Sequence, residues 1–406
     1  MEKAQSAPAQ HSYTAILFIL ALTAFVLGTA ELMIVGILSP IAASLHVAVS
    51  TAGQLVTGYA LGIAIGAPVM AMLTSKLERR QLIVAAVAVY TLCNALVLLT
   101  ASYDLFLVAR ILGGAMHGLI IGSSFAVALQ VAPPAKRGRA IGIVFGGLSI
   151  ATVLGVPLGT LAGQLLGWQA AFVAVAVMGV VALAGLALLL PHTKNEVQPS
   201  LKDQSRAAFT PGVLITLLAG LLIMGSQFTI FTYLEPLLTD ITHVPGNLVS
   251  VFLLAYGAAC ATGTFMGGKL ADKDPSKTII VANVILIAIF VLLDLLSGSP
   301  LLMALLLLVW GFVGFGLVPS YQLNVLSLAG KDASLASTLG VSAVNIGVAI
   351  GAIIGGAVIA TYGVSSVPLA GVALSACALP VSLFAGRRFW SRQRVTEKTT
   401  EAVTLG

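Results

Sequence analysis

Two charged residues of opposite sign lie deep inside apolar stretches of this sequence. Glu31 is nine residues before Pro40, where its apolar stretch ends, and Arg110 is seven residues after Tyr103, where another begins. At the rise of an α-helix these separations correspond to depths of about 13 Å and about 10 Å. Charged side chains at such depth generally face the interior of a helix bundle and pair with one another. The sequence therefore predicts that Glu31 and Arg110 face one cavity and interact, directly or through water.

A buried acid beside a buried base can exchange a proton with its surroundings. Burial favours the neutral form of a carboxyl group, and a nearby guanidinium favours the ionised form. Because the two effects oppose each other, Glu31 is suited to gain and lose a proton as the cavity opens to one side and then the other. Arg110 would modulate that exchange. The alternative is a static ion pair that only fixes helix packing.

A histidine and several aromatic and amide side chains complete the candidate site. His117 follows Arg110 by seven residues, or two helical turns, so both lie on one face of a helix. It could titrate, bind a substrate or hydrogen-bond a neighbouring helix. Further candidates to line a cavity, each with packing or a lipid-facing position as the alternative, are Tyr59, Gln227, Phe231, Tyr233, Tyr256, Trp310 and Asn345.

The composition indicates that these residues are positioned by helices in a membrane. Of the 406 residues, 59% are hydrophobic and 8% are charged, and the mean hydropathy is +1.07. Globular domains are about one-quarter charged, so lipid must be the main solvent of this chain. Cys93, Cys260 and Cys377 lie singly in apolar stretches, without a partner at a metal or redox spacing. Neither a set of catalytic groups nor a metal site is predicted, so the chain is not expected to be an enzyme.

The apolar stretches predict an all-α polytopic membrane protein with twelve transmembrane helices. A spanning helix needs about 20 predominantly apolar residues. A polar stretch at 191–210 divides the chain into two six-helix bundles, 13–190 and 211–386, with tails at 1–12 and 387–406. Glu235 and Asp294 lie near helix ends, where we expect them to reach water. The predicted spans are 13–39, 50–74, 81–100, 103–131, 138–164, 168–190, 211–237, 247–271, 277–297, 300–328, 334–360 and 364–386.

The basic residues predict how the chain crosses the membrane. On this assignment all Lys and Arg residues except Arg110 fall in loops or tails on one side. Cytoplasmic loops carry the excess of Lys and Arg, so both termini are predicted to be cytoplasmic. The net charge of +6 therefore reflects membrane topology and does not indicate a nucleic-acid partner.

The two halves are related by an internal repeat. Pro40 and Pro236 are separated by 236 − 40 = 196 residues, and Gly155 and Gly159 recur at the same offset as Gly351 and Gly355. Small residues at about every fourth position allow helices to approach closely, and Pro157 introduces a bend in the fifth span. Gln227 is the equivalent of Glu31 (31 + 196), so only the first half carries the charge. Such same-sense repeats suit a transporter whose halves rock around a central site.

Several motifs in this order resemble the major facilitator superfamily, and in particular its drug:proton antiporter branch. They are Gly28-Thr29-Ala30-Glu31, Leu73-Thr74-Ser75-Lys76, Ala109-Arg110-Ile111-Leu112-Gly113-Gly114, Leu154-Gly155-Val156-Pro157-Leu158-Gly159 and Gly267-Gly268-Lys269-Leu270-Ala271-Asp272-Lys273. The resemblance covers nearly the whole chain and is greatest to the arabinose-efflux and chloramphenicol-exporter group. It implies the major facilitator fold in a bacterial inner membrane, with Gly155, Pro157 and Gly159 in the helix that is typical of antiporters.

The same resemblance implies a gate on the cytoplasmic side. Its residues here are Ser75, Lys76, Arg79, Arg80, Asp272 and Lys273. The first half departs from the family pattern, because Ser75 occupies the usual acidic position and Glu78 the usual glycine. Asp272 keeps the acidic residue in the second half.

The sequence thus predicts a monomeric proton-coupled exporter of small hydrophobic or amphipathic molecules, such as drugs or sugar derivatives, that works by alternating access. Its partners would be the substrate, protons and the lipid bilayer, and the proton gradient would supply the energy without a cofactor. Two alternatives stay open. One is an importer or facilitator of a small metabolite with the same fold, and the other is a non-transporting membrane receptor or scaffold.

Overall fold

The computed structural model describes residues 10–74, 77–99, 102–133, 136–191, 208–330 and 333–390. Two of the predicted gate residues, Ser75 and Lys76, lie outside these ranges, as do most of the predicted linker at 191–210 and most of both tails.

Twelve helices in the described part of the chain are long and apolar enough to cross a membrane, as the sequence predicted. Because their number is even, the chain enters the first and leaves the last on the same side. We call this the terminal side and the opposite one, where the first helix ends, the far side. The helices are α1 Tyr13–Ser44, α2 Val49–Met70, α3 Arg79–Leu99, α4 Tyr103–Val131, α5 Arg137–Leu166, α6 Trp168–Leu189, α7 Pro211–Phe231, α8 Gly246–Lys273, α9 Pro275–Leu296, α10 Pro300–Ala329, α11 Leu335–Tyr362 and α12 Val364–Trp390.

Three of the helices, α1, α2 and α5, change their hydrogen-bonding pattern midway. α1 contains a 3₁₀ stretch at Met33–Ile37, α2 a π-helical turn at Gly62–Gly66, and α5 a π-helical turn at Ala151–Gly155. The turn in α5 ends two residues before Pro157, which has no N–H to continue the α-helical ladder. Irregular turns of these kinds leave main-chain groups without their usual partners and are frequent at functional sites.

The last helix is longer than predicted. α12 runs on from the expected boundary at 386 through a π-helical turn at Gly386–Trp390. Trp390 is 2% exposed, and its indole N–H donates a hydrogen bond of 2.9 Å to the Thr216 hydroxyl of α7. Residues 387–390 therefore continue the bundle, and the predicted tail can begin only after them.

Glycines at four-residue spacing bring helices into contact in the N-terminal half. The stripe on α5 faces α1, with Gly155 against Thr29, Gly159 against Met33 and Gly163 against Ile37. In lipid the hydrophobic effect does not drive apolar helices together, so close packing at small residues must supply the association.

An equivalent stripe joins α11 to α7 in the C-terminal half. Gly347, Gly351 and Gly355 lie against the carbonyl oxygens of Leu221, Gly225 and Thr229. Gly351 and Gly355 are the repeat equivalents of Gly155 and Gly159, and α7 is the equivalent of α1. The repeat in the sequence therefore corresponds to the same helix contact in both halves.

The two halves meet at the far side and separate towards the terminal side. Gly246, Gly257 and Gly268 of α8 are eleven residues apart, so three-turn spacing places them on one face. Gly246 lies beside Gln164 of α5 and Gly257 beside Val153, whereas Gly268 has no heavy atom within 4 Å of an added Cβ in the described chain. α5 and α8 thus diverge over the last three turns of α8, so the space between the halves opens to the terminal side on this face, while α11 still contacts α2 where the Ser342 hydroxyl donates to the Ala64 carbonyl at 2.9 Å.

We predict that Gly351→Val destabilises the protein. Its side chain would collide with the α7 backbone at Gly225, and overpacking of this kind costs about 1–3 kcal/mol. Thermal unfolding of the purified protein in detergent, followed by size-exclusion chromatography of the surviving fraction, measures the effect. Gly268→Ala is the control and should leave the melting temperature unchanged or raise it, since the added methyl group meets open space. An unchanged melting temperature for Gly351→Val would show that α7 and α11 can separate without loss.

Candidate functional site

Glu31 lies near the middle of α1, two residues before the 3₁₀ stretch. Its side chain is 29% exposed, whereas the nearby Ala30 and Met33 are fully buried. α1 packs on α4, α5 and α6 of its own half and, through its 3₁₀ stretch, on α8 of the other half. Because a charged side chain at this depth faces the bundle interior and not lipid, the exposed part of Glu31 faces the space between the halves. The carboxylate is therefore reachable from the open terminal side.

Arg110 binds the main chain around this residue. Its Nη1 donates to the Ala30 carbonyl at 2.8 Å, its Nη2 to the Glu31 carbonyl at 3.3 Å, and its Nε to the Leu55 carbonyl at 3.3 Å. Its Cζ lies 3.9 Å from the centre of the Tyr59 ring, a cation–π contact. The two deep charges do come together, but the contact that joins them uses the Glu31 main chain and not its carboxylate.

The position of Arg110 follows from the irregular turn in α1. A change from α-helical to 3₁₀ bonding shifts each N–H to an acceptor one residue closer, which leaves a carbonyl at the junction without its usual donor. Ala30 and Glu31 lie at this junction. The planar guanidinium carries five donors in a fixed geometry, so one buried side chain can serve carbonyls of both α1 and α2.

The Glu31 carboxylate begins a chain of polar groups that crosses four helices. Its Oε2 lies 3.7 Å from His117 Nδ1, which in turn lies 2.8 Å from Tyr59 Oη. Tyr59 Oη is 3.2 Å from Tyr90 Oη. We call Glu31, His117, Tyr59 and Tyr90 the polar chain. Because its last three members are buried, Glu31 is the member through which the chain reaches the open space.

Tyr90 was not identified from the sequence. It lies on α3, and Asn94, four residues on, donates to its main-chain oxygen at 2.9 Å. The two polar residues at i and i+4 in an otherwise apolar span mark one helix face, and this was the available signal. It did not show that the face meets Tyr59.

The equivalent region of the C-terminal half is filled by aromatic rings. Gln227 is 2% exposed and accepts a hydrogen bond of 3.1 Å from the Trp310 indole N–H. Phe231 and Tyr256 stack at 5.0 Å, and Tyr256 meets Trp310 edge-on at 5.3 Å. These four predicted residues therefore form one buried cluster within their own half.

Two further candidates lie apart from this cluster. Tyr233 is fully buried near the far side, where its hydroxyl donates to the Ala352 carbonyl at 2.8 Å. Asn345 is 8% exposed and donates to the Val341 carbonyl of its own helix at 3.0 Å. Whether either contacts a substrate stays a prediction.

The described gate residues lie at helix ends on the terminal side. Arg79 and Arg80 begin α3, and Arg80 Nη2 donates to the Ala187 carbonyl of α6 at 2.6 Å. Asp272 and Lys273 are exposed at the end of α8. The structure thus places the two parts of the predicted gate on different halves, on the side where the halves separate.

The far side is closed by a buried carboxylate. Glu235 Oε2 accepts hydrogen bonds from the Ser39 main-chain N–H at 2.9 Å and from the Ser39 hydroxyl at 2.6 Å. Glu235 is 3% exposed, so the expectation that it reaches water is wrong. Short helical turns after α7 fold it against the end of α1, where Ser39, its equivalent at the 196-residue offset, supplies both donors.

The donor set of this region suits proton exchange and not metal binding. Among the described residues, no group of three His, Cys, Asp or Glu side chains is arranged to hold a metal ion. A partly exposed carboxylate beside an imidazole and two phenols can bind or release a proton and can offer hydrogen bonds to a small molecule.

Comparison with known proteins agrees with this architecture. The chain matches the family model described as "Major Facilitator Superfamily" over residues 20–341 and 216–404. It is 34% identical to inner membrane transport protein YdhP of Escherichia coli (strain K12), covering 92% of this chain and 96% of that protein. It is also 30% identical to a chloramphenicol resistance protein of Streptomyces lividans, covering 83% of this chain and 87% of that protein.

A solved structure shows the same fold. A bacterial homolog of the human lysosomal transporter Spinster, in an inward-facing and unoccupied conformation, superimposes with a TM-score of 0.82 at 16% identity, covering 95% of this chain and 99% of that one. The protein is thus a multi-pass membrane transporter and not an enzyme, and it binds a small-molecule substrate. The chain belongs to the major facilitator superfamily.

Proposed function

We propose that this protein is a proton-coupled exporter of small hydrophobic or amphipathic molecules, such as drugs or sugar derivatives, in a bacterial inner membrane. It acts as a monomer with both termini in the cytoplasm, and the proton gradient supplies its energy without a cofactor. The observation that carries the proposal is the Glu31 carboxylate. It is partly exposed at mid-membrane depth and lies 3.7 Å from His117.

The geometry supports proton coupling because the Glu31 side chain is partly exposed to the space between the halves, whereas the other members of the polar chain are buried. Arg110 holds the α1 backbone through carbonyl oxygens, which leaves the carboxylate free to change its proton occupancy without dismantling the helix junction. When the terminal side is open, Glu31 exchanges protons with that side. After the halves rock, the same carboxylate faces the far side, where the higher proton concentration reloads it.

Export requires that substrate and proton compete for the space beside Glu31. Protonation from the far side weakens the polar attraction for substrate and favours its release there, and proton loss on the terminal side restores binding. The name of the Streptomyces lividans relative, a chloramphenicol resistance protein, supports outward transport of an antibiotic-sized molecule. The loops rich in Lys and Arg support a cytoplasmic terminal side.

We predict that Glu31→Gln abolishes proton-driven transport while leaving the fold intact. Glutamine keeps the size and hydrogen-bonding capacity of the side chain but cannot release a proton in this pH range. The measurement is substrate-induced proton movement in proteoliposomes with an imposed pH gradient, over a panel of drugs and sugars. Asp294→Asn, near the end of α9, is the matched control and should transport like the wild type. Gradient-driven transport by Glu31→Gln at the wild-type rate would exclude Glu31 as the proton carrier.

We predict that Arg110→Lys impairs both stability and transport. A lysine keeps the charge but loses the planar geometry that serves three carbonyls on two helices. Each lost hydrogen bond from a charged donor costs about 1.5–3 kcal/mol. Melting temperature and transport rate are measured together, with Arg139→Lys at the exposed start of α5 as the control. Wild-type values for Arg110→Lys would mean that positive charge alone is required at this position.

We predict that Ser39→Ala favours the far-side-open conformation. It removes one hydrogen bond to the Glu235 carboxylate, and loss of about 1.4 kcal/mol raises the open population roughly tenfold. In a chain whose three cysteines are replaced by alanine, Gln54→Cys reports on opening through its reaction with a membrane-impermeant maleimide. Gln54 lies against Gly356 of the other half, so closure protects it. The exposed Asp240→Cys should react equally with and without Ser39→Ala, and equal reaction of Gln54→Cys would contradict a closing role.

A further inference from the structure

A groove on the C-terminal half lies apart from the space between the halves. It is formed where α8, α9 and α10 meet near the terminal side and has a volume of about 490 Å³. Gly263 and Gly267 of α8 lie against carbonyl oxygens of α10, so the two backbones touch and form its floor. α9 packs on α8, α10 and α12, all helices of the same half. The groove is therefore not part of the proposed transport path.

The walls of the groove are apolar and accessible from the bilayer. Leu270, Ile285 and Phe312, one from each helix, line it and are 43%, 37% and 39% exposed. A volume of this size is in the range of about 300–1,000 Å³ that is typical of small-molecule sites. Its long apolar walls offer few hydrogen-bonding partners, so the occupant must be largely hydrocarbon.

Two lysines lie at the terminal-side end of the groove. Lys273 ends α8, Lys277 lies in the first turn of α9, and both are exposed lining residues. Asp274 is also in the lining, and its carboxylate accepts the Lys277 main-chain N–H at 2.8 Å as a helix cap. Within the described ranges, neither lysine forms an ion pair with a carboxylate. The charged residues that line the mouth are therefore two lysines and Asp274, a net charge of 2 − 1 = +1, and the exposed Asp272 next to Lys273 lies outside the lining.

The other half uses the equivalent position differently. In the gate motif of the two halves Asp272 corresponds to Ser75 (75 + 197 = 272), so Lys277 corresponds to Arg80 (80 + 197 = 277). The Arg80 guanidinium donates to a carbonyl of α6 at 2.6 Å, and thereby binds a neighbouring helix. The ammonium of Lys277 borders the groove instead. The helix-binding role of Arg80 therefore does not carry over to Lys277, whose charge is available to a ligand in the groove.

We propose that this groove binds an anionic phospholipid of the leaflet on the terminal side. The phosphate lies between Lys273 and Lys277, and one acyl chain fills the groove along α9. Basic pockets between transmembrane helices on the cytoplasmic side of a membrane are suited to anionic headgroups, and the proposed function places the terminal side in the cytoplasm. A zwitterionic lipid would gain less from the two ammonium groups, and a free phosphate would leave the apolar walls unfilled.

The test uses the full chain, purified in detergent, and native mass spectrometry with added phosphatidylglycerol or phosphatidylcholine of the same acyl composition. We expect tighter binding of phosphatidylglycerol by the wild type and about fivefold weaker binding by Lys277→Gln, which corresponds to about 1 kcal/mol for one lysine near the membrane surface. Ile285→Trp, which occupies the groove, should weaken binding of both lipids. Lys136→Gln, an exposed lysine of the N-terminal half on the same side, is the matched control and should bind like the wild type.

Three results would overturn the proposal. Equal binding by the wild type, Lys277→Gln and Ile285→Trp would place the lipid elsewhere. Equal loss in Lys136→Gln would mean that total charge and not this groove attracts the lipid. Displacement of the lipid by glycerol phosphate, together with normal binding by Ile285→Trp, would indicate a site for a free anion. Melting temperatures of all variants show that each is folded before binding is compared.

Discussion

Close contact between helices at small residues is the constraint on which this structure depends. Lipid surrounds the chain, so apolar side chains gain little by leaving the solvent, and helices associate only where their surfaces fit. Gly155, Gly159, Gly351 and Gly355 provide that fit for α5 on α1 and for α11 on α7. Each half is thus held together by close contacts between its own helices.

The two halves have different interiors. In the N-terminal half, Arg110 serves carbonyls at the α1 junction and the polar chain leads from Tyr90 to Glu31. In the C-terminal half, Trp310 and its aromatic neighbours occupy the equivalent region, with Gln227 as their hydrogen-bonding partner. The proposed proton chemistry therefore belongs to one half only, and the equivalent region of the other half is a buried aromatic cluster.

Much of this organisation could be predicted from the sequence because it rests on periodic and compositional signals. Twelve apolar spans, the glycine repeat and the depth of Glu31 and Arg110 are all visible along the chain. The lateral contacts between helices cannot be read from the sequence in this way. The spacing of Arg110 gave no sign that it binds carbonyls, because the 3₁₀ junction in α1 has no sequence pattern of its own. The burial of Glu235 was likewise hidden, since it depends on turns that follow α7. The joining of Tyr90 to Tyr59 depends on how α3 rotates against α2.

The contact between Ser39 and Glu235 has a bearing on how such a chain arose. The two residues are separated by 196 positions, the offset of the repeat, so each meets its own counterpart near the pseudo-twofold axis. In a symmetric pair of identical halves this position would face itself, and two carboxylates would repel each other there. A serine that donates twice to one acid requires halves with different sequences. This closure of the far side can therefore have been selected only after the ancestral halves had diverged.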